Sequence, residues 1–133
     1  MTYYFDMDGV LADFHSTYTH RAQALSFAYL ANLTPFAANV ALLNALIAAG
    51  ENCYILTKAA NEAAKNGKIA WLKKHVPALT LDKFICIVGS GRKIDHIRED
   101  GILIDDDVKN TRQWVKAGQP AILLTSKGET VTL

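Results

Sequence analysis

Residues 3–14 read YYFDMDGVLADF, and the reading of this stretch decides the fold. An apolar segment delivers two acids, Asp6 and Asp8, and then Gly9. Charged groups at the end of a buried strand are costly unless something uses them. While the backbone stays extended, side chains two apart share a direction, so the two carboxylates face one way. Each then raises the other's pKa unless a cation intervenes, and hard oxygen donors suit Mg²⁺. Gly9 permits the tight turn that has to follow. Spacing excludes a calcium loop: Thr17 stands where its closing Glu belongs, and the glycine comes two positions early.

Working outward, four further apolar runs follow: Asn52–Thr57, Phe84–Gly89, Gly101–Asp106 and Pro120–Thr125. They are continuously hydrophobic, as parallel strands covered on both faces require. Helical segments are expected between them, over Asp13–Ala31, Pro35–Ala49, Asn61–His75, a short Lys93–Glu99, and Val108–Ala117. Pro35 suits a helix start, and Gly50 and Gly118 suit helix stops. The alternation predicts an α/β fold: a three-layer, Rossmann-like open parallel sheet with helices on both faces. At 133 residues the chain reads as one domain over residues 1–133.

In such sheets ligands bind beyond the carboxyl ends of the strands. Reactive residue types collect there: Asp6 and Asp8, Thr57 and Lys58, Gly89 to Lys93, and Asp105 to Asp107. The acidic run at Asp105 is no calcium loop, because Asn110 occupies the glycine position. The loop GSGRK is neither a dinucleotide nor a P-loop motif, since Ile94 falls where a third glycine or a hydroxyl is needed. Two acidic strand ends, a hydroxyl and a lysine around one cleft suit phosphoryl transfer: cations neutralise the phosphate, a hydroxyl holds it, and a carboxylate attacks.

The same residues carry a resemblance. DMDGVLAD resembles the first motif of the haloacid dehalogenase-like phosphatases, Asp-x-Asp-x-(Thr/Val), with Val10 at the last position. YILT resembles their second motif, Lys93 their third, and ILIDDD their acidic fourth. The forms DMDGVLADF and LIDDD are most similar to the 5′(3′)-deoxyribonucleotidase-like branch. The resemblance implies a Mg²⁺-dependent phosphomonoesterase that forms an aspartyl-phosphate on Asp6. Asp8 would be the general acid and base and lend its backbone carbonyl to the metal. Thr57 and Lys93 would bind the phosphate, with Gly9, Lys58 and Arg92 as neighbours in the substrate site and Arg92 a competitor for the place of Lys93. Asp6, Asp8 and Asp105 would hold Mg²⁺, and Asp106 would ligate through water or orient the others.

The segment from about residue 13 to 49 has to supply both the crossover helix and any cap, so the cap is small. A small cap leaves the cleft open. A nucleotide is the first expectation, but a polynucleotide 3′-end or a phosphoprotein would also fit, and a second subunit in a homodimer is one way to cover the site. A phospho-accepting signalling receiver is a competing class, but receivers carry the accepting Asp on the third strand, which here ends at Gly89. An inactive binding protein is a third class, disfavoured because every motif position holds a competent residue.

Composition narrows the partners. The net charge of +1 gives no argument for nucleic acid or membrane, and no apolar run reaches the about 18 residues of a membrane span. The start of the chain lacks the basic and apolar regions of a signal peptide. Cys53 and Cys86 lie in strand-like runs and read as free buried thiols, pointing to the cytoplasm. His15, His20, His75 and His96 show no zinc spacing, although His15, just past the acid turn, is placed to face substrate. Phe14, Tyr18 and Arg21 suit a substrate wall or a helix face equally. Lys65, Lys68, Lys73 and Lys74 are read as a solvated helix surface, and Trp71 and Trp114 as core.

Overall fold

The computed structural model describes residues 1–124 and 130–132. Along each strand, side chains alternate between two apolar layers. In β1 (Thr2–Phe5), Tyr3 and Phe5 join one layer and Tyr4 the other. In β2 (Asn52–Ala59), Cys53 and Ile55 face the first layer, and Tyr54 and Leu56 the second. Both layers are buried, which is why the strand sequences read as unbroken apolar runs. With β3 (Phe84–Val88), β4 (Ile102–Asp105), β5 (Ala121–Leu124) and β6 (Thr130–Thr132), the described residues form a six-stranded sheet in the order β3-β2-β1-β4-β5-β6. The pairs from β1 to β5 are parallel, and β6 runs antiparallel to β5.

The helices are α1 (Arg21–Ala24), α2 (Phe27–Ala31), α3 (Ala37–Ala48), α4 (Glu62–His75) and α5 (Val108–Lys116). Leu30 of α2, Leu43 of α3 and Trp71 of α4 fill the first layer, and Trp114 of α5 fills the second. Each buried indole is satisfied: Trp71 donates to the Leu33 carbonyl at 2.8 Å and Trp114 to that of Gly101 at 3.0 Å. This is the expected Rossmann-like α/β arrangement, with helices on both faces.

Local expectations needed correction where polar side chains compete with helix. The segment Asp13–Ala31 is not one helix. The Asp13 carboxylate accepts from the Ser16 N–H and hydroxyl, which closes a turn instead, and Ser26 caps a fresh start by accepting from the Tyr29 N–H. Pro35 does not open α3; it bridges to Ala12, and the helix begins at Ala37. The short helix expected over Lys93–Glu99 is one 3₁₀ turn, Lys93–His96. Strand β2 continues to Ala59. Thr125, the expected end of the fifth strand, lies outside the described residues. Strand β6 was not anticipated, because three exposed residues, Thr-Val-Thr, carry no apolar signature.

From β1 the chain goes to β2 on one side, and from β3 it crosses back to β4 on the other, so the strand order reverses between β1 and β4 and leaves a crevice beyond their carboxyl ends. The segment that carries α1 and α2 is stitched at both ends to the loop after β1. The Asp13 N–H donates to Thr34, the Phe36 N–H to Leu11, and the Asn39 amide to Val10, each at 2.8 Å. Gly67 lets α2 lie against α4, since a Cβ there would stand 2.6 Å from the Phe27 carbonyl oxygen.

Candidate active site

Asp6 follows β1, and its N–H still pairs with the Ile104 carbonyl at 2.9 Å, so the ladder carries it into the crevice. The chain then turns through Gly9, whose φ of 84° lies in the region that favours glycine. Space requires glycine there too, because an added Cβ would stand 2.1 Å from Asp106 Oδ2. Thr57 ends the apolar run of β2, Asp105 ends β4, and Lys93 opens the 3₁₀ turn after β3. Four chain segments thus converge, and Asp6, Asp8, Thr57, Lys58, Lys93, Asp105 and Asp106 line one open cavity of about 360 Å³.

Two buried lysines organise it. Lys93 Nζ lies 2.7 Å from Asp6 Oδ1 and 2.9 Å from Asp105 Oδ2. Lys68 Nζ lies 2.8 Å from both Asp8 Oδ2 and Thr57 Oγ1. Because Lys68 donates to the threonine oxygen, the Thr57 hydroxyl hydrogen stays free to donate elsewhere. Asp105 is fully engaged: Oδ1 accepts from the Asp107 N–H at 3.0 Å, and Oδ2 from Lys93 and from Asn110 at 3.1 Å. Asp106 Oδ2 is freer, facing His15 Nε2 at 3.5 Å. Asp8 Oδ1 is buried with no hydrogen-bond partner among the described residues.

Burial sets the electrostatics. It pushes Asp6 above the usual carboxylate range despite the opposing charge of Lys93. Burial, then the neighbouring charge of Asp6, raises Asp105 to about 6. Asp106 is raised as well, again chiefly by burial. Burial works against the charge of Lys93, but Asp6 and Asp105 together hold it above its ordinary value. Carboxylates crowded this way ask for a cation beyond the lysine, and oxygens of Asp6, Asp105 and Asp106 lie within 4.8 Å of one another.

A family model described as 5′ nucleotidase, deoxy (Pyrimidine), cytosolic type C protein matches residues 18–130. The chain belongs to this family. The chain is accordingly a nucleotidase-like phosphoric monoester hydrolase, with a small phosphorylated nucleotide as the implied substrate. The nucleotidase family generally uses a divalent metal, and the aspartate cluster offers the donors one needs. The match begins after Asp6 and Asp8, so the geometry of those two acids stands as separate support. No curated protein matches the chain. No helix among the described residues is long and apolar enough to cross a membrane.

Of the residues expected in the substrate site, Arg92 stands apart. It is exposed, is held by Asp95 at 2.8 Å, and does not line the cavity of the clustered acids, whereas Lys93 faces them. Gly9 shapes the wall beside the cavity, and Lys58 lies exposed on its rim. Lys68 departs from the solvated helix surface that the charge pattern predicts: it is 1% exposed. The signal was available in the spacing: Lys68 sits four after Ala64 and three before Trp71, on the apolar stripe of α4. A lysine on a core-facing stripe requires a partner, and here it has Asp8.

Proposed function

We propose that this nucleotidase is a Mg²⁺-dependent monophosphatase that works through an aspartyl-phosphate on Asp6. The observation that carries the reading is the pair of buried lysines, each shared between an acid of the Asp-x-Asp motif and a second strand-end group. Such a site offers a nucleophile, a second acid and fixed positive charge within one cavity.

In this reading an Asp6 carboxylate oxygen attacks phosphorus as the ester P–O bond breaks. Asp8, whose Oδ1 has no partner among the described residues, gives its proton to the departing alkoxide. It then takes a proton from the water that attacks the acyl phosphate, so inorganic phosphate leaves and Asp6 is restored. Lys68, the Thr57 hydroxyl and Lys93 hold the phosphate oxygens and offset their charge. When bound, Mg²⁺ would supply further positive charge to offset that of the phosphate and the carboxylates.

The donor set fits that ion, with one change of emphasis from the sequence expectation. Both oxygens of Asp105 already accept hydrogen bonds, which suits anchoring Lys93. Asp106 has the freer carboxylate, so we assign direct ligation to Asp6, Asp106 and the Asp8 backbone carbonyl. The free cysteines and the word cytosolic in the family description support a cytoplasmic location.

The test is turnover of a panel of 5′- and 3′-deoxynucleoside monophosphates with Mg²⁺. Pyrimidine deoxynucleotides, named in the family description, are the expected substrates. No activity above that of Asp6→Asn would sink the proposal.

A further inference from the structure

Asn110 enters the sequence reading only as the residue that breaks the calcium-loop spacing, yet the fold sets it in the wall of the cavity that holds the acids. It is 9% exposed and stands on the inner stripe of α5, with Thr111 and Trp114. A buried amide needs partners, and its Nδ2 donates to Asp105 Oδ2 at 3.1 Å. One turn further on, Trp114 fills the second layer and donates to the Gly101 carbonyl. The stripe that carries Asn110 is thereby fixed at the start of β4, the strand that ends in Asp105.

Asp105 in turn holds Lys93. Lys93 stands on a single 3₁₀ turn, an element too short to place a long side chain by itself. Among the described residues two carboxylates place its ammonium, Asp6 Oδ1 at 2.7 Å and Asp105 Oδ2 at 2.9 Å. The reaction proposed above alters the first and leaves the second as it was. An Asp6 oxygen bonds phosphorus, the ester P–O bond breaks, and the departing alkoxide takes the Asp8 proton. Asp6 is then an uncharged acyl group joined to the phosphoryl. Water next attacks phosphorus and gives its proton to Asp8, and the bond from phosphorus to Asp6 breaks to restore the carboxylate. Between those events Asp105 is the carboxylate that still faces Lys93. Besides Lys93, its donors are the Asp107 N–H at 3.0 Å and the Asn110 amide.

We infer that Asn110 is a positioning residue for the second half of the reaction: through Asp105 it keeps Lys93 in place while Asp6 carries the phosphoryl group. The inference rests on the aspartyl-phosphate reading and adds a residue on which hydrolysis of that intermediate depends. In the free enzyme Asp6 and Asp105 share Lys93, so one hydrogen bond to Asp105 matters less there than in the intermediate. A slower second step lowers kcat and KM together and leaves kcat/KM almost unchanged, a split that a packing role does not produce.

Two variants of the full chain, assayed with Mg²⁺, test it. Asn110→Leu keeps most of the volume and removes the donor, and Asn110→Ala removes both. Alanine suits a helix, so the second variant keeps the test if the first does not fold. In each, kcat for a deoxynucleoside 5′-monophosphate is expected to fall about tenfold or more, and KM with it. The change in kcat/KM is expected to be about threefold or less. Acid quenching with radiolabelled substrate should trap more phosphorylated protein at steady state than in the unmodified enzyme. A kcat/KM that falls as far as kcat, or a trapped fraction that does not rise, overturns the role of Asn110 and leaves the aspartyl-phosphate reading standing. Asp8→Ala, which lacks the base of the second step, checks that reading separately with labelled acetyl phosphate, whose leaving group needs no acid. If no label is trapped even there, the reading falls and the inference with it.

Discussion

Lys68 and Lys93 hold the same kind of position by different routes. Lys93 follows a strand, at a place where reactive groups are expected, and it was legible in the sequence. Lys68 reaches the site from the middle of a helix, 60 residues from the Asp8 it pairs with, and only packing brings them together. The two lysines should fail differently when replaced. In the proposed mechanism Lys68→Met removes a donor to the phosphate, and kcat/KM is expected to fall about 10²–10³-fold, read in steady-state assays at saturating Mg²⁺. Lys93→Met leaves Asp6 and Asp105 buried without their cation, which is expected to cost about 3–5 kcal/mol in urea unfolding. Because Asp105 is already raised to about 6, it takes up a proton as pH falls, and the loss should shrink between pH 7.5 and pH 5. A third residue makes a pH prediction of opposite origin. Burial, with the charge of Glu51, pushes the Cys53 thiol up to about 11 from 9.0. The folded protein keeps a proton that the unfolded chain releases, so stability is full below about pH 9 and falls toward pH 11. Urea midpoints across that range should drop less in Cys53→Ala than in the unmodified protein.

At the scale of elements, α4 and α5 were legible because each lies between apolar strand runs and opens on an Asn or Asp cap: Asn61 accepts from Ala64 N–H, and Asp107 from Lys109 N–H. The segment between β1 and α3 was not legible as two short helices. Its breaks depend on Asp13 and Ser26 side chains capturing nearby N–H groups, a competition that apolar periodicity does not record. The contact that fixes α2 is also tertiary. Gly67 lies inside α4, where alanine normally stabilises a helix by about 1 kcal/mol. Here a Cβ meets the Phe27 carbonyl oxygen, so Gly67→Ala is expected to destabilise by about 1–3 kcal/mol. Because α2 would be displaced from the helix that carries Lys68, activity should fall together with the unfolding midpoint. A thermal melt and a turnover assay on the same variant check this.

For the whole molecule, the relevant quantity is how the charges of the crevice add up. Carboxyl groups of Asp6, Asp105 and Asp106 gather at the meeting of β1 and β4, with one buried lysine among them. A divalent ion that binds there and not to the unfolded chain stabilises the fold, by about 2.7 kcal/mol at a hundredfold excess over its Kd. Mg²⁺ is therefore expected to raise Tm, and Asp106→Asn to abolish most of that shift, in a thermal melt that needs no substrate. The sequence by itself determined the alternation of the first five strands with the longer helices, and with it the acids, threonine and lysine at the strand ends. Those features follow from periodicity and chain direction, which are local. Tertiary structure alone decided which lysine meets which acid, which carboxylate is left with the fewer hydrogen bonds, and where a second cavity opens beside the first. These depend on how layers from distant segments pack, because the stretch YYFDMDGVLADF supplies the acids but the helix carrying Lys68 and the start of α3 supply their surroundings.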